Sequence, residues 1–251
     1  APTPTVAFIS TASKAASFAL LARVFHAAWP VEASIYWTGL IAAMAAITMT
    51  LGNLLALVQR NIKRLLAYSS IAQAGYVLIG VVALTRTEIG VAAVAFYMFL
   101  YVLTNIAAFT VVIAVSNTTG SEQIADFASL SRRAPYLALA MVLAMLSLGG
   151  VPPLAGFFGK FFLFAAAVEA GYVWLAIVGV LNAIVALYYY LSVIKVMYVD
   201  PNEDTRPVRV TPVFTGVLLF TGLGILVMGT IAGPWWAWAL NAASSLTAMV
   251  P

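Results

Sequence analysis

The sequence predicts an all-α fold, a polytopic transmembrane helical bundle of about seven helices with one of them discontinuous. Three observations carry this expectation. Sixty-four per cent of the residues are hydrophobic, only 8% are charged, and the mean hydropathy is +1.04, a balance found in chains that live in a bilayer. Apolar stretches of roughly 20 residues recur without period-two alternation, and a bilayer core takes about 20 helical residues at ~1.5 Å each. The apolar run from about Ala134 to Gly171 is too long for one straight span, and Gly149, Gly150, Pro152 and Pro153 interrupt it near the middle. Proline removes a backbone donor and clashes with the preceding turn, so a helix breaks there.

In order, the predicted spans cover 5–28, 36–58, 65–84, 90–116, 135–170 (the broken one), 173–198 and 211–240. Leucine, alanine and valine dominate all of them. The longer connections, 117–134 and 199–212, are polar and read as surface loops. Ser121, Glu122 and Gln123 could start a short surface helix before Phe127. Tyr188, Tyr189 and Tyr190 read as part of an interfacial aromatic belt, as do Trp235, Trp236 and Trp238. His26, the single histidine, falls at a span end and also reads as interfacial. The opening APTPTVAF has neither an initiator methionine nor a charged n-region, so it is not a signal peptide. The chain is expected to begin partway through a larger protein.

Basic residues set the expected orientation. With the N-terminal end on the cytoplasmic side, Arg60, Lys63, Arg64, Arg132, Arg133, Lys195, Arg206 and Arg209 lie in cytoplasmic connections, and only Arg23 and Arg86 lie opposite. Eight against two obeys the positive-inside rule. Treating 135–150 and 154–170 as separate spans would reduce this to five against five, which favours one interrupted span. The net charge of +4 sits between spans and forms no patch for nucleic acid. With no cysteine, Fe–S ligation is excluded, and no metal site is expected.

Two lysines remain, Lys14 and Lys160, both well inside apolar spans. A lysine in the hydrocarbon region costs at least about 2.5–3.5 kcal/mol unless it faces a cavity or a partner. Broken backbone at that depth is tolerated only where protein or a polar cavity surrounds it. Lys160 follows the break by a few residues, so charge and break coincide. The bland alternative is a static ion pair, but Glu169 on the same helix is nine residues away, roughly 13 Å at 1.5 Å per residue. Lys14 has Ser10 and Ser17 at i−4 and i+3 with Ser13 beside it, and hydroxyls can solvate an ammonium. Its alternative is a lysine snorkelling to the interface.

Polar stripes continue on the next spans. Ser69, Gln73 and Tyr76 recur at i, i+4, i+7, and Tyr97, Tyr101 and Asn105 at i, i+4, i+8. Such stripes can line a hydrated path or simply bond neighbouring helices. Gln73 and Asn105 do not titrate, so they could only anchor water. Lys63, at a span boundary on the basic side, is a proton-entry candidate or a topology anchor.

The strings APTPTVAFISTASKAA, NIKRLLAYSSIAQAGY, LSLGGVPPLAGFFGKFFLF and ALYYYLSVIKVMY resemble the subunit N family of NADH–quinone oxidoreductase (respiratory complex I), including its photosynthetic branch. The resemblance covers nearly the whole chain and weakens after about residue 200. It implies an antiporter-like fold of fourteen helices with two inverted five-helix repeats, each with a broken helix. On that basis this chain corresponds to the helix preceding the second repeat (1–30), the second repeat (35–200) and the C-terminal helix (210–251). The resemblance assigns Lys14 and Lys160 to a chain of protonatable groups near the membrane midplane. The family's glutamate on its fifth helix and lysine on its seventh have no counterpart here. Many relatives carry histidine where this chain has Gln73. That departure rules out titration at 73 and puts more of the connection on water, Tyr97 or Tyr101.

The expected function is therefore proton translocation, in a membrane subunit of an NAD(P)H- or ferredoxin–quinone oxidoreductase. FMN, Fe–S clusters and quinone belong to partner subunits, and neighbouring antiporter-like subunits are the expected lateral partners. The expected location is the bacterial plasma membrane or the thylakoid membrane. A subunit of a multi-subunit Na⁺/H⁺ antiporter is the alternative, and a structural subunit with vestigial lysines a third reading.

Overall fold

The computed structural model describes residues 2–25, 34–84, 86–87, 89–202, 207–208 and 210–247. His26, Arg206 and Arg209 lie outside them. The first span is α1 (Thr3–Phe8), a π-helical turn (Ile9–Ser13) and α2 (Lys14–Arg23) in direct succession. Then come α3 (Ser34–Leu57), α4 (Ile62–Ala83) and α5 (Ile89–Thr119). A 3₁₀ turn (Ile124–Phe127) and α6 (Leu130–Arg133) occupy the polar loop. α7 (Pro135–Gly149), α8 (Ala155–Glu169), α9 (Val173–Tyr198), α10 (Pro212–Thr230) and α11 (Ala232–Thr247) complete the fold. Six helices are long and apolar enough to cross a membrane among the described residues.

Local chemistry starts these helices where they start. Pro135 and Pro212 stand in the first turns of α7 and α10, where the missing N–H costs nothing. The Asn61 side chain caps α4 by accepting from the Arg64 N–H at 3.0 Å. Both halves of the broken span end on a glycine in left-handed conformation, Gly150 and Gly171.

α5 forms the hub, packed against α1, α2, α4, α7, α8, α10 and α11. α4 and α5 are mostly buried, whereas α3 turns Leu40, Ile47 and Leu51 outward and α9 turns Ile177, Leu181 and Ile184 outward. Apolar faces of that extent suit lipid or a protein partner and not water. α7 and α8 are 15 residues each, about 22 Å at 1.5 Å per residue, so neither spans a core of about 30 Å alone. That length argument agrees with one interrupted crossing.

The C-terminal segment differs from the predicted span over 211–240. α10 stops at Thr230 and a separate helix, α11, follows after Ile231. α11 docks on the bundle through Trp236, which stacks on Phe162 at 3.8 Å and meets Phe96 edge-on. Trp236 is therefore half-buried against the bundle, its ring engaged with Phe162 and Phe96 and not free at the interface. The short helix expected after Ser121 is present as a single 3₁₀ turn over Ile124–Phe127, with Gln123 at its N-cap.

Candidate functional site: a lysine held in a helix break

The break supplies a binding site made of backbone. Gly150, at φ +85°, lets the chain turn back at the end of α7. The Gly150 N–H then donates to Ser147 O at 3.0 Å and the Val151 N–H to Leu146 O at 3.0 Å, the two bonds of a Schellman motif. They leave the next two carbonyls, Leu148 and Gly149, without helical donors. Lys160 takes both: its Nζ donates to Leu148 O at 2.8 Å and to Gly149 O at 3.1 Å. The carbonyl end of a helix carries partial negative charge, so α7 solvates the ammonium without a carboxylate. The Tyr76 ring adds a cation–π contact at 4.6 Å. Lys160 is 4% exposed.

The two half-helices are held in register by Ser147, which is fully buried. Its Oγ accepts from the Gly156 N–H at the start of α8 (3.1 Å) and meets Thr104 Oγ1 of α5 at 3.3 Å. From the other side, Gly229 of α10 presses on the break. A Cβ there would lie 2.1 Å from Pro153 O, so only glycine fits.

Around Lys160 a buried hydrogen-bond network spans four helices. Gln73 of α4 donates through Nε2 to Leu148 O (3.2 Å) and to the Tyr190 hydroxyl of α9 (3.3 Å). Tyr97 of α5 donates to Gln73 Oε1, and Ser69 shares a hydrogen bond with Tyr190. Asn105 donates to Tyr101 O on its own helix at 3.0 Å. The Tyr101 hydroxyl is buried without a hydrogen-bond partner, close to Ser70 and Asn105. A buried orphan hydroxyl is a natural position for water.

Lys14 reaches the same network from the opposite edge. Its Nζ donates to Ser70 O and Ser70 Oγ of α4. The expected solvation by Ser10, Ser13 and Ser17 is not what is found. Ser10 bonds Ala7 O, Ser17 bonds Ser13 O, and Ser13 and Ser17 face outward. The π turn immediately before Lys14 changes the phase of the helix, so the i−4 position counted on a regular helix no longer shares its face, while Ser17, on the regular α2, is exposed and turns its hydroxyl back to Ser13 O. Lys14 thus ends on Ser70, and Lys160 on the network of Gln73, Tyr190 and Ser69; the two serines are neighbours on α4, and the Tyr101 hydroxyl lies beside Ser70.

Other residues fall differently from their sequence reading. Tyr189 and Tyr190 are not belt residues: they are 2% and 0% exposed, while Tyr188 is outside. Lys63 pairs with Glu122 at 2.5 Å, and Thr3 donates to the same carboxylate at 2.9 Å. Burial pushes the Glu122 carboxyl up, but donation from Lys63, Thr3 and Asn61 outweighs it and holds the group below its usual value. The pairing ties the start of α1, the start of α4 and the loop after α5 together, which is an anchoring role. Ser70, Ser147, Asn53 and Asn182 are not singled out by the sequence, and Tyr190 only as an interfacial residue. The two asparagines were legible, since an amide in the middle of an apolar span needs an internal partner. Ser147 and Tyr190 carry no such signal.

A multi-helix bundle with outward apolar faces, an interrupted span, and a buried lysine in the interruption defines an integral multi-pass membrane protein. Residues 1–186 match the membrane domain described as "NADH:quinone oxidoreductase/Mrp antiporter, TM", and the chain belongs to that family. It is 47% identical over 244 residues to NADH-quinone oxidoreductase subunit N of Moorella thermoacetica, covering 97% of this chain and 51% of the relative. It is 46% identical over 213 residues to NAD(P)H-quinone oxidoreductase subunit 2 of Nostoc punctiforme, covering 84% of this chain and 39% of the relative. A chain of respiratory complex I from Thermus thermophilus with bound aureothin superposes with a TM-score of 0.80 at 36% identity, over 94% of this chain and 51% of that one. The chain spans about half the length of the relatives it matches.

Proposed function

We propose that this chain is the proton-translocating, antiporter-like part of subunit N in an NAD(P)H- or ferredoxin–quinone oxidoreductase, coupling electron transfer to quinone with proton pumping. The observation that supports this most is Lys160, a buried amine solvated by the Leu148 and Gly149 carbonyls of the helix break. A carboxylate would fix the proton on the lysine; backbone dipoles solvate either protonation state more evenly and leave the proton exchangeable. Residues 1–30 are the helix before a second inverted repeat, 35–200 that repeat, and 210–251 a C-terminal segment of two helices. Lys14 and Lys160 are the groups that take up and release the proton, and Ser69, Gln73, Tyr97, Tyr101 and Asn105 hold the water between them.

FMN, Fe–S clusters and quinone sit on partner subunits, and the redox step is theirs. Other antiporter-like subunits flank this one in the membrane. Its N-terminal end faces the cytoplasm or stroma, by the positive-inside count. A Na⁺/H⁺ antiporter subunit without redox partners is the competing assignment, since the family name covers both. The relatives at 46–47% identity are quinone oxidoreductase subunits, which favours the redox assignment. Deleting the gene separates them. Loss of quinone-linked proton pumping with unchanged Na⁺ and Li⁺ tolerance supports the proposal; Na⁺ sensitivity with respiration intact overturns it.

A further inference from the structure

A cleft of about 610 Å³ opens near the basic face, between the α3–α4 turn, the loop after α5 and the end of α9. Its roof is hydrogen-bonded at both edges. On one side the Ile124 N–H donates to Arg60 O at 2.8 Å and the Ile62 N–H to Glu122 O at 2.9 Å. On the other, Ser129 Oγ donates to Asp200 O at 3.0 Å and Asn202 Nδ2 to Ala128 O at 3.3 Å. The cleft is thus built into the fold.

Its walls divide by depth. Leu57 of α3, Leu65 of α4 and Tyr188, Val193 and Val196 of α9 form an apolar trough. Tyr189 also lines it, but the Tyr189 hydroxyl donates to Asn53 Oδ1 at 3.1 Å, a buried amide outside the wall, which leaves the ring for the trough. Tyr188 is 69% exposed, so the trough is open sideways to the bilayer. From Tyr188 to Asp200 the chain advances about 18 Å at ~1.5 Å per helical residue, slightly more than half of a ~30 Å hydrocarbon core. Polar groups gather at the outer end, where Gln59, Arg60, Gln123 and Asp200 meet. Asp200 is neutralised by Lys195 at 3.1 Å, and Glu122 by Lys63. Arg60 is exposed and has no acidic partner among the described residues. The result is a slot one leaflet deep, apolar within, carrying one uncompensated cation at headgroup level.

We propose that this cleft binds an anionic phospholipid of the leaflet on the basic face, with one acyl chain in the trough and the phosphate on the Arg60 guanidinium. Water gains no partners from the apolar walls, whereas a chain gains dispersion contacts with them. The rim selects the headgroup. A guanidinium pairs bidentately with phosphate, and an ethanolamine would bring a second cation beside Arg60 where a glycerol brings none. Basic pockets between helices on the cytoplasmic side take anionic lipids for the same reason. The bound lipid joins the α3–α4 turn to the end of α9. Its binding needs only the membrane fold and is independent of the proton-translocating reading.

The test uses the intact complex in phosphatidylethanolamine vesicles holding a trace of photoreactive lipid. Two probes are compared, phosphatidylglycerol and phosphatidylethanolamine, each with a diazirine on one acyl chain, and the cross-linked residues of this chain are mapped by mass. Cross-links at Leu57, Leu65 and Val196 are expected, several-fold stronger from the phosphatidylglycerol probe. Arg60→Gln should remove that preference and Arg60→Lys should keep most of it. Both change an exposed side chain and leave the Arg60 carbonyl bonded to Ile124. Ser192→Trp, at an exposed position of α9 that lines the cleft, should abolish the cleft cross-links and spare those on the outward residues Ile177 and Leu181. Arg132→Gln, on the same face but outside the cleft wall, should change nothing. Equal labelling of the cleft by the two probes, or cleft labelling that survives Ser192→Trp, shows boundary lipid only and overturns the site. A preference lost in Arg132→Gln, or kept in Arg60→Gln, overturns the role of Arg60. Labelling confined to Ile177 and Leu181 leaves the cleft to a protein partner and overturns the proposal as well.

Discussion

Gly150 carries both the backbone turn and the space for Lys160, and its replacement by alanine separates folding from function. At φ +85° an alanine pays roughly 1–2 kcal/mol for left-handed backbone. That is about a 5–30-fold shift against the native turn. The added Cβ would also stand 3.1 Å from Lys160 Cδ and 3.6 Å from Nζ, so the side chain must shift by a few tenths of an ångström. The bond from Nζ to Gly149 O is already 3.1 Å, and further lengthening takes it outside good hydrogen-bond geometry. Gly150→Ala should therefore lower the heat resistance of the subunit in the complex and also reduce pumping. Gly150→Asn keeps the Cβ but tolerates left-handed backbone, so it should recover much of the stability and little of the pumping. Retention of the chain in the complex after a heat challenge, and proton uptake per electron in vesicles, read the two effects. Wild-type behaviour of Gly150→Ala in both assays would refute the reasoning. Recovery of pumping in Gly150→Asn would show that the Cβ contact with Lys160 is immaterial.

Three further outcomes are expected. Gln73→Glu places a carboxylate on an atom network that shares Leu148 O with Lys160, creating the static ion pair the native site lacks; the complex should assemble but pump poorly, and full pumping would contradict the role given to the carbonyls. Gly229→Ala drives a methyl against Pro153 O and should reduce the amount of subunit in the membrane, which a blot of assembled complex would show. The carboxyl of Glu122 is held below its ordinary value of 4.5, so its stabilising contribution is complete above that value and lost as pH falls through the lower folded value. Exposure of 20–25% at Lys63–Glu122 limits the pair to about 1 kcal/mol. Glu122→Gln should remove that part of the acid-dependent fall in thermal midpoint between pH 5 and 3 and leave pumping near neutral pH intact.

The helices and the break were legible because both rest on short-range chemistry. Apolar length sets a span, and Gly149, Gly150, Pro152 and Pro153 in five residues leave a helix nowhere to continue. Lys160 was legible through its cost in an apolar run. What Lys160 binds was not legible, because the partners are carbonyls freed by a capping motif, and carbonyls have no letter in a sequence. The face around Lys14 differs for a related reason: a π turn over Ile9–Ser13 adds a residue to one turn, and a regular 3.6-residue count then misplaces Ser10. Their place near a span end makes Tyr189 and Tyr190 read as interfacial, although a tyrosine can equally anchor a buried amide such as Asn53 or Gln73. The end of the last span is marked by Gly229, Gly233 and Pro234, the proline standing in the first turn of α11, a signal that the apolar length of the run obscures.

The central claim is that a proton crosses through Lys160. The most direct measurement is proton pumping per electron in vesicles containing the whole complex, wild type against Lys160→Ala, with quinone reduction followed in the same sample. The account predicts that pumping and quinone reduction fall together while the complex stays assembled. Wild-type values for both in Lys160→Ala would show that the lysine only holds the broken span together, and that the proton passes elsewhere.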